Sequence, residues 1–453
     1  MPINRSFAAA AFAVALALAV PARAAEPIYA PNVTTFTLQN GLQVVVIPNH
    51  RAPVVTHMVY YKAGAADEVP GKSGIAHFLE HLMFKGTTTY PDAEFSSRVA
   101  AVGGNDNAST TDDATSYYQT VDKQYLGLVM GYEADRMQNL VISDATLLPE
   151  RQVILEERSR SIDNVPSSRL SEAMNATLYM NSHYGIPTIG WAQEMAALTA
   201  DDARAWYNRY YTPNNAIVVI AGDVTEAEVR PLAEQTYGKV PKRADPPPRL
   251  RPTEPVPLAA RTVTFSDPRV TTPSFRRAYL VPSEATGTTT EVGALSVLAE
   301  ILGGNSMSRF RKLVNDGLAT GLGASYFGGG LGDGTLIIAG SPRGDHTVAE
   351  LEARVDQVLA DVVKNGVTEE EVARAKKGVK AAVILAEDSP GSLARTFGSS
   401  LARGETVEYV QHWPDRAAAV TLGDVNAAAK KYLDIRRSVT GYLSPPPDVK
   451  GPA

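Results

Sequence analysis

Two histidines stand four residues apart with a glutamate between them, in His77-Phe78-Leu79-Glu80-His81. On an α-helix, residues at i and i+4 project from one face a turn apart, so this spacing lets both imidazoles reach one metal ion. Glu80, one residue before His81, is close enough to address a water on that metal. Phe78, Leu79, Leu82 and Met83 surround the trio with apolar groups, which favours a buried site over an exposed polar helix face. A buried imidazole pair beside a carboxylate is costly unless it is hydrogen-bonded or metal-bound. The chemistry that suits the pattern is metal-assisted hydrolysis, with Zn²⁺ acidifying a water and Glu80 as the base.

Catalytic zinc usually takes three protein ligands, so a third must come from elsewhere. With no cysteine in the chain, it must be another His or a carboxylate, and disulfides are excluded. Carboxylates cluster in Leu148-Pro149-Glu150-Arg151-Gln152-Val153-Ile154-Leu155-Glu156-Glu157. Pro149 suits the first turn of a helix. Glu150 and Glu157 are seven apart and share a face over two turns, whereas Glu156 points about 100° away from Glu157, towards solvent. Any one of these glutamates is an exposed helix position unless the His motif pairs with it.

The elements that must position these residues are mixed. Residues 41–48 and 54–61 are β-branched and aromatic runs bounded by turn residues and read as strands. A helix is expected from about Gly74 to Phe84, another from Asp92 to Val102, and a strand at Ala216–Gly222. Beyond them a proline-dense stretch starts at Pro241-Lys242-Arg243-Ala244-Asp245-Pro246-Pro247-Pro248 and runs to Pro257, which disfavours helix and central strand. Then Arg277–Val281 reads as a strand, and Glu291–Leu302, Thr347–Lys364 and Glu369–Leu385 carry helical periodicity. The expectation is an α+β chain of two related α/β sandwich-like halves, 25–240 and 258–453, joined by a Pro-rich linker at 241–257.

Residues 1–24 have the plan of a secretory signal peptide: Arg5, an apolar run from Phe7 to Val20, and Ala22-Arg23-Ala24. Cleavage after Ala24 and a periplasmic location are expected. No other segment is long and apolar enough to span a bilayer, so no stable membrane insertion is expected. A net charge of −6 with no basic stripe argues against nucleic acid as a partner.

The order His-x-x-Glu-His is the mark of the inverzincins. Its setting, Gly74-Ile75-Ala76-His77-Phe78-Leu79-Glu80-His81-Leu82-Met83-Phe84-Lys85-Gly86-Thr87, resembles peptidase family M16, the pitrilysin or insulinase family, and best its half-length subgroup, which includes the mitochondrial processing peptidase. Between His81 and Glu157 lie 75 residues, the family's interval to its third ligand. The resemblance therefore implies a peptidase with one Zn²⁺ per chain, held by His77, His81 and Glu157, with Glu80 catalytic and Glu150 supporting the site. The segment from Gly103 to Thr110, followed by Asp112, Thr115, Tyr117 and Tyr118, is similar to the family strand that pairs with peptide substrates, which makes Asn107 and Ala108 the substrate contacts. Read without the family, it is a Gly-Asn turn entering a structural strand. Tyr211-Thr212-Pro213-Asn214-Asn215-Ala216 and Gly222-Asp223 also match.

One departure stands out. The family usually supplies an Arg and a Tyr, seven residues apart, from the second half. Here Thr320 stands where the Tyr is expected and Leu313 seven residues before it. Arg309 and Arg311 are nearby but read as surface charges. The resemblance then implies a heterodimer with a zinc-less homologous chain that supplies the missing groups, with a homodimer as the runner-up. A peptide-binding or assembly subunit with little activity of its own is the alternative. The run Gly328-Gly329-Gly330-Leu331-Gly332-Asp333-Gly334 lacks the Lys-Ser/Thr of a phosphate loop and reads as a turn between strands.

Overall fold

The computed structural model describes residues 29–447 apart from 93 and 388; the segment read as a signal peptide lies outside them. In the first half, β1 (Thr34–Thr37), β2 (Gln43–Pro48), β3 (Val54–Tyr61), β4 (Asn105–Thr110), β5 (Thr115–Asp122) and β6 (Ala216–Gly222) make one sheet in the order β1-β2-β6-β3-β5-β4. Only β2 and β6 pair in parallel. Every residue of β6 is buried, as the unbroken Ala-Ile-Val-Val-Ile-Ala run of a strand covered on both faces requires. The second half repeats the plan with β7 (Arg261–Ser266), β8 (Ser274–Val281), β9 (Ala319–Phe327), β10 (Gly334–Pro342) and β11 (Ser438–Ser444), in the order β7-β11-β8-β10-β9. Here too an early strand pairs in parallel with the last of its half, β7 with β11 as β2 with β6. The relatedness of the halves, faint in sequence, is explicit in this topology.

Five helices of the first half bear on the site: α1 (Ile75–Leu82), α2 (Glu94–Ala101), α3 (Leu126–Asn139), α4 (Asp144–Arg158) and α5 (Pro166–Leu178). The start of α1 is set by Gly74, which takes a left-handed φ of 87°, and by the buried Glu68 carboxylate, which accepts from the N–H groups of Gly74 and Ala76, each at 2.9 Å. These are two of the donors that a helix start leaves unpaired. For α4 the structure corrects the expectation. The helix begins at Asp144, capped by Ser143 with Thr146 reciprocating, so Pro149 lies inside it rather than in its first turn. A helix-interior proline costs about 3 kcal/mol through its missing N–H and its clash with the preceding turn.

Each half also covers the other. One face of the first sheet packs its own helices, with Phe78, Leu79 and Leu82 of α1 against Val59, Tyr61 and Tyr117. The opposite face, with Met58, Tyr60 and Val219, is covered by Leu393, Phe397 and Leu401 of the helix Pro390–Ala402 from the second half. Conversely, Leu170, Met174 and Leu178 of α5 cover Ala278, Leu280 and Val439 of the second sheet. Both crossings run close over a glycine. A Cβ on Gly398 would meet the Tyr60 ring at 2.1 Å, and one on Gly441 would meet Met174 Sδ at 2.2 Å.

The stretch 241–258 has no regular secondary structure, but arginines anchor its neighbourhood. Arg251 reaches Asp67 at 2.8 Å and Asp113 at 2.7 Å, and Arg249 donates to the Asp113 carbonyl at 2.6 Å. Asp113 also accepts from Tyr184 at 2.5 Å and from the Leu331 amide at 2.9 Å. The glycine-rich run is the turn between β9 and β10, and this contact docks it onto the first half.

Candidate metal centre

The short helix α1 turns Phe78, Leu79 and Leu82 into the core and leaves His77 and His81 partly open on its other side, with side chains 13% and 22% exposed. Their rings lie 4.8 Å apart between centroids. Helix α4 crosses beside them. His81 Nε2 is 3.2 Å from Glu157 Oε2, and His77 Nε2 is 3.8 Å from Glu157 Oε1. One donor atom from each of the three residues lies within 4.8 Å of the others. Glu156 points away, 66% exposed beside Arg160.

Glu150, one face-repeat before Glu157, sits deeper. Its Oε1 is 2.8 Å from His81 Nδ1 and its Oε2 is 2.5 Å from Lys85 Nζ. If Nδ1–H is donated to Glu150, Nε2 is the His81 nitrogen left for a metal. His77 has no such support: its Nδ1 is buried without a hydrogen-bond partner.

The electrostatics follow from these contacts. Burial, helped by the neighbouring His81, pushes His77 down to about 4, so this ring is neutral. Burial works against charge on His81 too, but the Glu150 and Glu157 carboxylates outweigh it and hold the ring up at about 9. The hydrogen bond to His81 lowers Glu157. For Glu150, bonds to His81 and Lys85 overcome burial and keep it ionised. Two imidazole nitrogens and one carboxylate oxygen, with a side open to solvent, suit zinc with a free fourth position.

Glu80 faces another neighbour. It is buried, and burial raises its pKa, opposed in part by a short hydrogen bond from the Thr110 hydroxyl. Thr110 ends β4, the edge strand of the first sheet. Asn107 and Ala108 lie on this edge, paired on one side only, opposite Tyr118 and Tyr117 of β5. Asn107 is exposed, and its Oδ1 accepts from the Ala108 amide at 2.8 Å. A helix carrying a buried carboxylate thus lies against a strand whose outer edge can accept another strand.

Among the described residues the second half has no matching centre. Its helix between the second and third strands, Thr289–Ala299, contains no histidine. Leu313 is buried in that half's core, and the Thr320 hydroxyl bonds the Ser341 carbonyl at 3.2 Å. Arg309 is more than the surface charge expected from sequence. It is 19% exposed and holds Glu371 at 2.7 Å and Asp361 at 2.8 Å. Arg311 is exposed.

Sequence reasoning gave no role to Lys85, Thr110 or Glu68. Lys85 could have been found, since it follows His81 at helical spacing. Thr110 and Glu68 reach α1 only through the folding of the sheet.

Residues 43–191 match the family model described as insulinase (peptidase family M16), and residues 197–379 the one described as peptidase M16 inactive domain. The zinc protease PqqE of Helicobacter pylori is 30% identical over 92% of this chain and 94% of its own. The chain belongs to peptidase family M16, in its half-length form. Among solved structures, a protease from Helicobacter pylori superposes with a TM-score of 0.85 at 29% identity, covering 92% of this chain and 100% of that one. The periplasmic protease PqqL of Escherichia coli shares the fold with a TM-score of 0.79 at 21% identity, where 92% of this chain covers 48% of that longer one. Among the described residues, no helix is long and apolar enough to cross a membrane.

Proposed function

We propose that this chain is a zinc-dependent endopeptidase in which His77, His81 and Glu157 hold one zinc ion. The observation that carries the reading is the convergence of those three donors within 4.8 Å, on helices that lie beside a free sheet edge. Zinc held there supplies Lewis acidity, polarising a carbonyl and bringing the pKa of water to about 7. Glu80 takes the proton from the attacking water and delivers it to the leaving amine. The Thr110 hydroxyl holds one Glu80 oxygen and leaves the other for the proton. Glu150 orients His81. Asn107 and Ala108 bind an extended peptide by strand addition.

The developing oxyanion needs donors; Leu313 has none in its side chain, and the Thr320 hydroxyl donates to the Ser341 carbonyl. A zinc-less homologous chain that closes over the first completes the site, giving a heterodimer, with a homodimer as the runner-up. The occurrence of this fold as 48% of a longer chain supports assembly from two such units. Residues 1–24 direct the protein to the periplasm. The missing donors also support a second reading, a peptide-binding or assembly subunit that does not turn over.

A quenched-fluorescence peptide assay, with and without chelator and with and without the homologous chain, tests the proposal. Chelator-sensitive cleavage that needs both chains is expected. Full-rate cleavage by this chain alone would sink the partner requirement. A metal-loaded pair that binds but does not cleave would favour the second reading.

A further inference from the structure

Strand β8 sends alternate side chains to opposite faces. Arg277 turns to its own half's helices, where Glu352 at 2.6 Å and Asp356 at 2.5 Å neutralise it. Arg276 turns the other way, and among the described residues its side chain bonds only Ser171 Oγ, at 3.3 Å. Burial alone pulls its pKa down, with no charged neighbour opposing. The carboxylate nearby, Glu172, is spent on both terminal nitrogens of Arg158, each at 2.9 Å. A half-buried guanidinium without a counter-ion costs folding free energy that nothing among the described residues returns.

Arg276 stands where two cavities of about 610 and 410 Å³ meet, since both are lined by Arg276 and Asn175. The larger lies between the halves. It reaches Ser109 and Thr111, the residues flanking Thr110, whose hydroxyl holds Glu80. A second cation in its wall, Arg395, stacks over Tyr118 at 5.7 Å and has no carboxylate partner among the described residues. Of the acids in that wall, Asp113 is bound to Arg251 and Asp333 to Thr286. Asp112 is pushed up to about 7 by burial and by Asp113 beside it. A strand added to β4 would point every second side chain to the face that carries Ser109, and so into this cavity.

We infer that Arg276, seconded by Arg395, binds a carboxylate of the peptide substrate, so that the chamber selects acidic peptides. This rests on the peptidase reading above. Guanidinium matches carboxylate in a two-pronged, charge-assisted pairing that lysine does not reproduce. The carboxylate is a Glu or Asp side chain or the free C-terminus of the peptide.

The test is the affinity of fluorescent peptides for the Glu80→Gln protein, measured by anisotropy. The peptides differ in Glu against Gln and in C-terminal acid against amide. The acidic forms should bind roughly tenfold or more tightly, and whichever exchange removes the gain identifies the source. Adding Arg276→Gln should erase the preference, and Arg276→Lys should restore only part of it. Arg276→Gln should also leave the thermal midpoint unchanged or raise it, whereas a structural arginine would lower it. Equal binding of acidic and neutral peptides, or a preference that survives Arg276→Gln, overturns the inference. If the preference holds but the wild-type pair cleaves none of these peptides, the peptidase reading fails and the carboxylate site stands.

Discussion

His81 Nδ1 lies 2.8 Å from Glu150 Oε1, while its Nε2 lies 3.2 Å from Glu157 Oε2. One imidazole is held between two carboxylates of a single helix, two turns apart. The inner carboxylate fixes the ring at Nδ1 and the outer one lies against Nε2. Lys85, at 2.5 Å from the other Glu150 oxygen, keeps the inner carboxylate charged.

Removal of that support should weaken metal binding without removing a ligand. Glu150→Gln is expected to lower zinc affinity by about 10- to 100-fold, and Lys85→Met by less. Competition with a chelating indicator reads both directly. Unchanged affinity in Glu150→Gln would exclude the orienting role.

Glu80→Gln should keep a full complement of zinc yet lower kcat by about 10²- to 10⁴-fold. Metal analysis and peptide turnover on the same preparation check this. Appreciable residual turnover would show that another group is the base.

Burial pushes Glu68 up to about 8, so the folded chain holds a proton that the unfolded chain releases near the ordinary glutamate value. Between those two pH values the native state binds more protons, and stability must fall as pH rises. Thermal midpoints at about pH 5 and about pH 8 should therefore drop for the wild type. Glu68→Gln should drop less. Parallel slopes would falsify the assignment.

Asp113 joins the Arg251 guanidinium, the Tyr184 hydroxyl and the Leu331 amide. Asp113→Asn leaves Arg251 short of a buried counter-charge and should cost about 3 kcal/mol in denaturant unfolding. A loss within about 0.5 kcal/mol would mean that Asp67 alone suffices for Arg251.

Much was legible along the chain. β3 and β6 fall on the residues expected, because β-branched runs between turn residues favour a strand wherever they lie. The helix expected over Thr347–Lys364 is found at Val348–Asn365, since its apolar period marks one buried face. The spacing of His77 and His81 put both rings on one side of a turn before any fold was known. Glu157 could be singled out as a candidate ligand only through the family interval, because nothing in α4's own sequence separates a ligand from an exposed glutamate.

What the sequence by itself determined was therefore local: the placing of His77, Glu80 and His81 on one helix, the element types, and the α+β class of two halves divided by prolines. Tertiary structure alone decided which carboxylate meets which histidine, that Thr110 holds Glu80, and that each half lends a helix to the other's sheet. Those relationships join residues tens to hundreds of positions apart. Period and propensity reach only a turn or two along a chain, whereas a hydrogen bond or a packed ring requires two distant backbones brought to within a few ångströms, and the fold as a whole sets that distance.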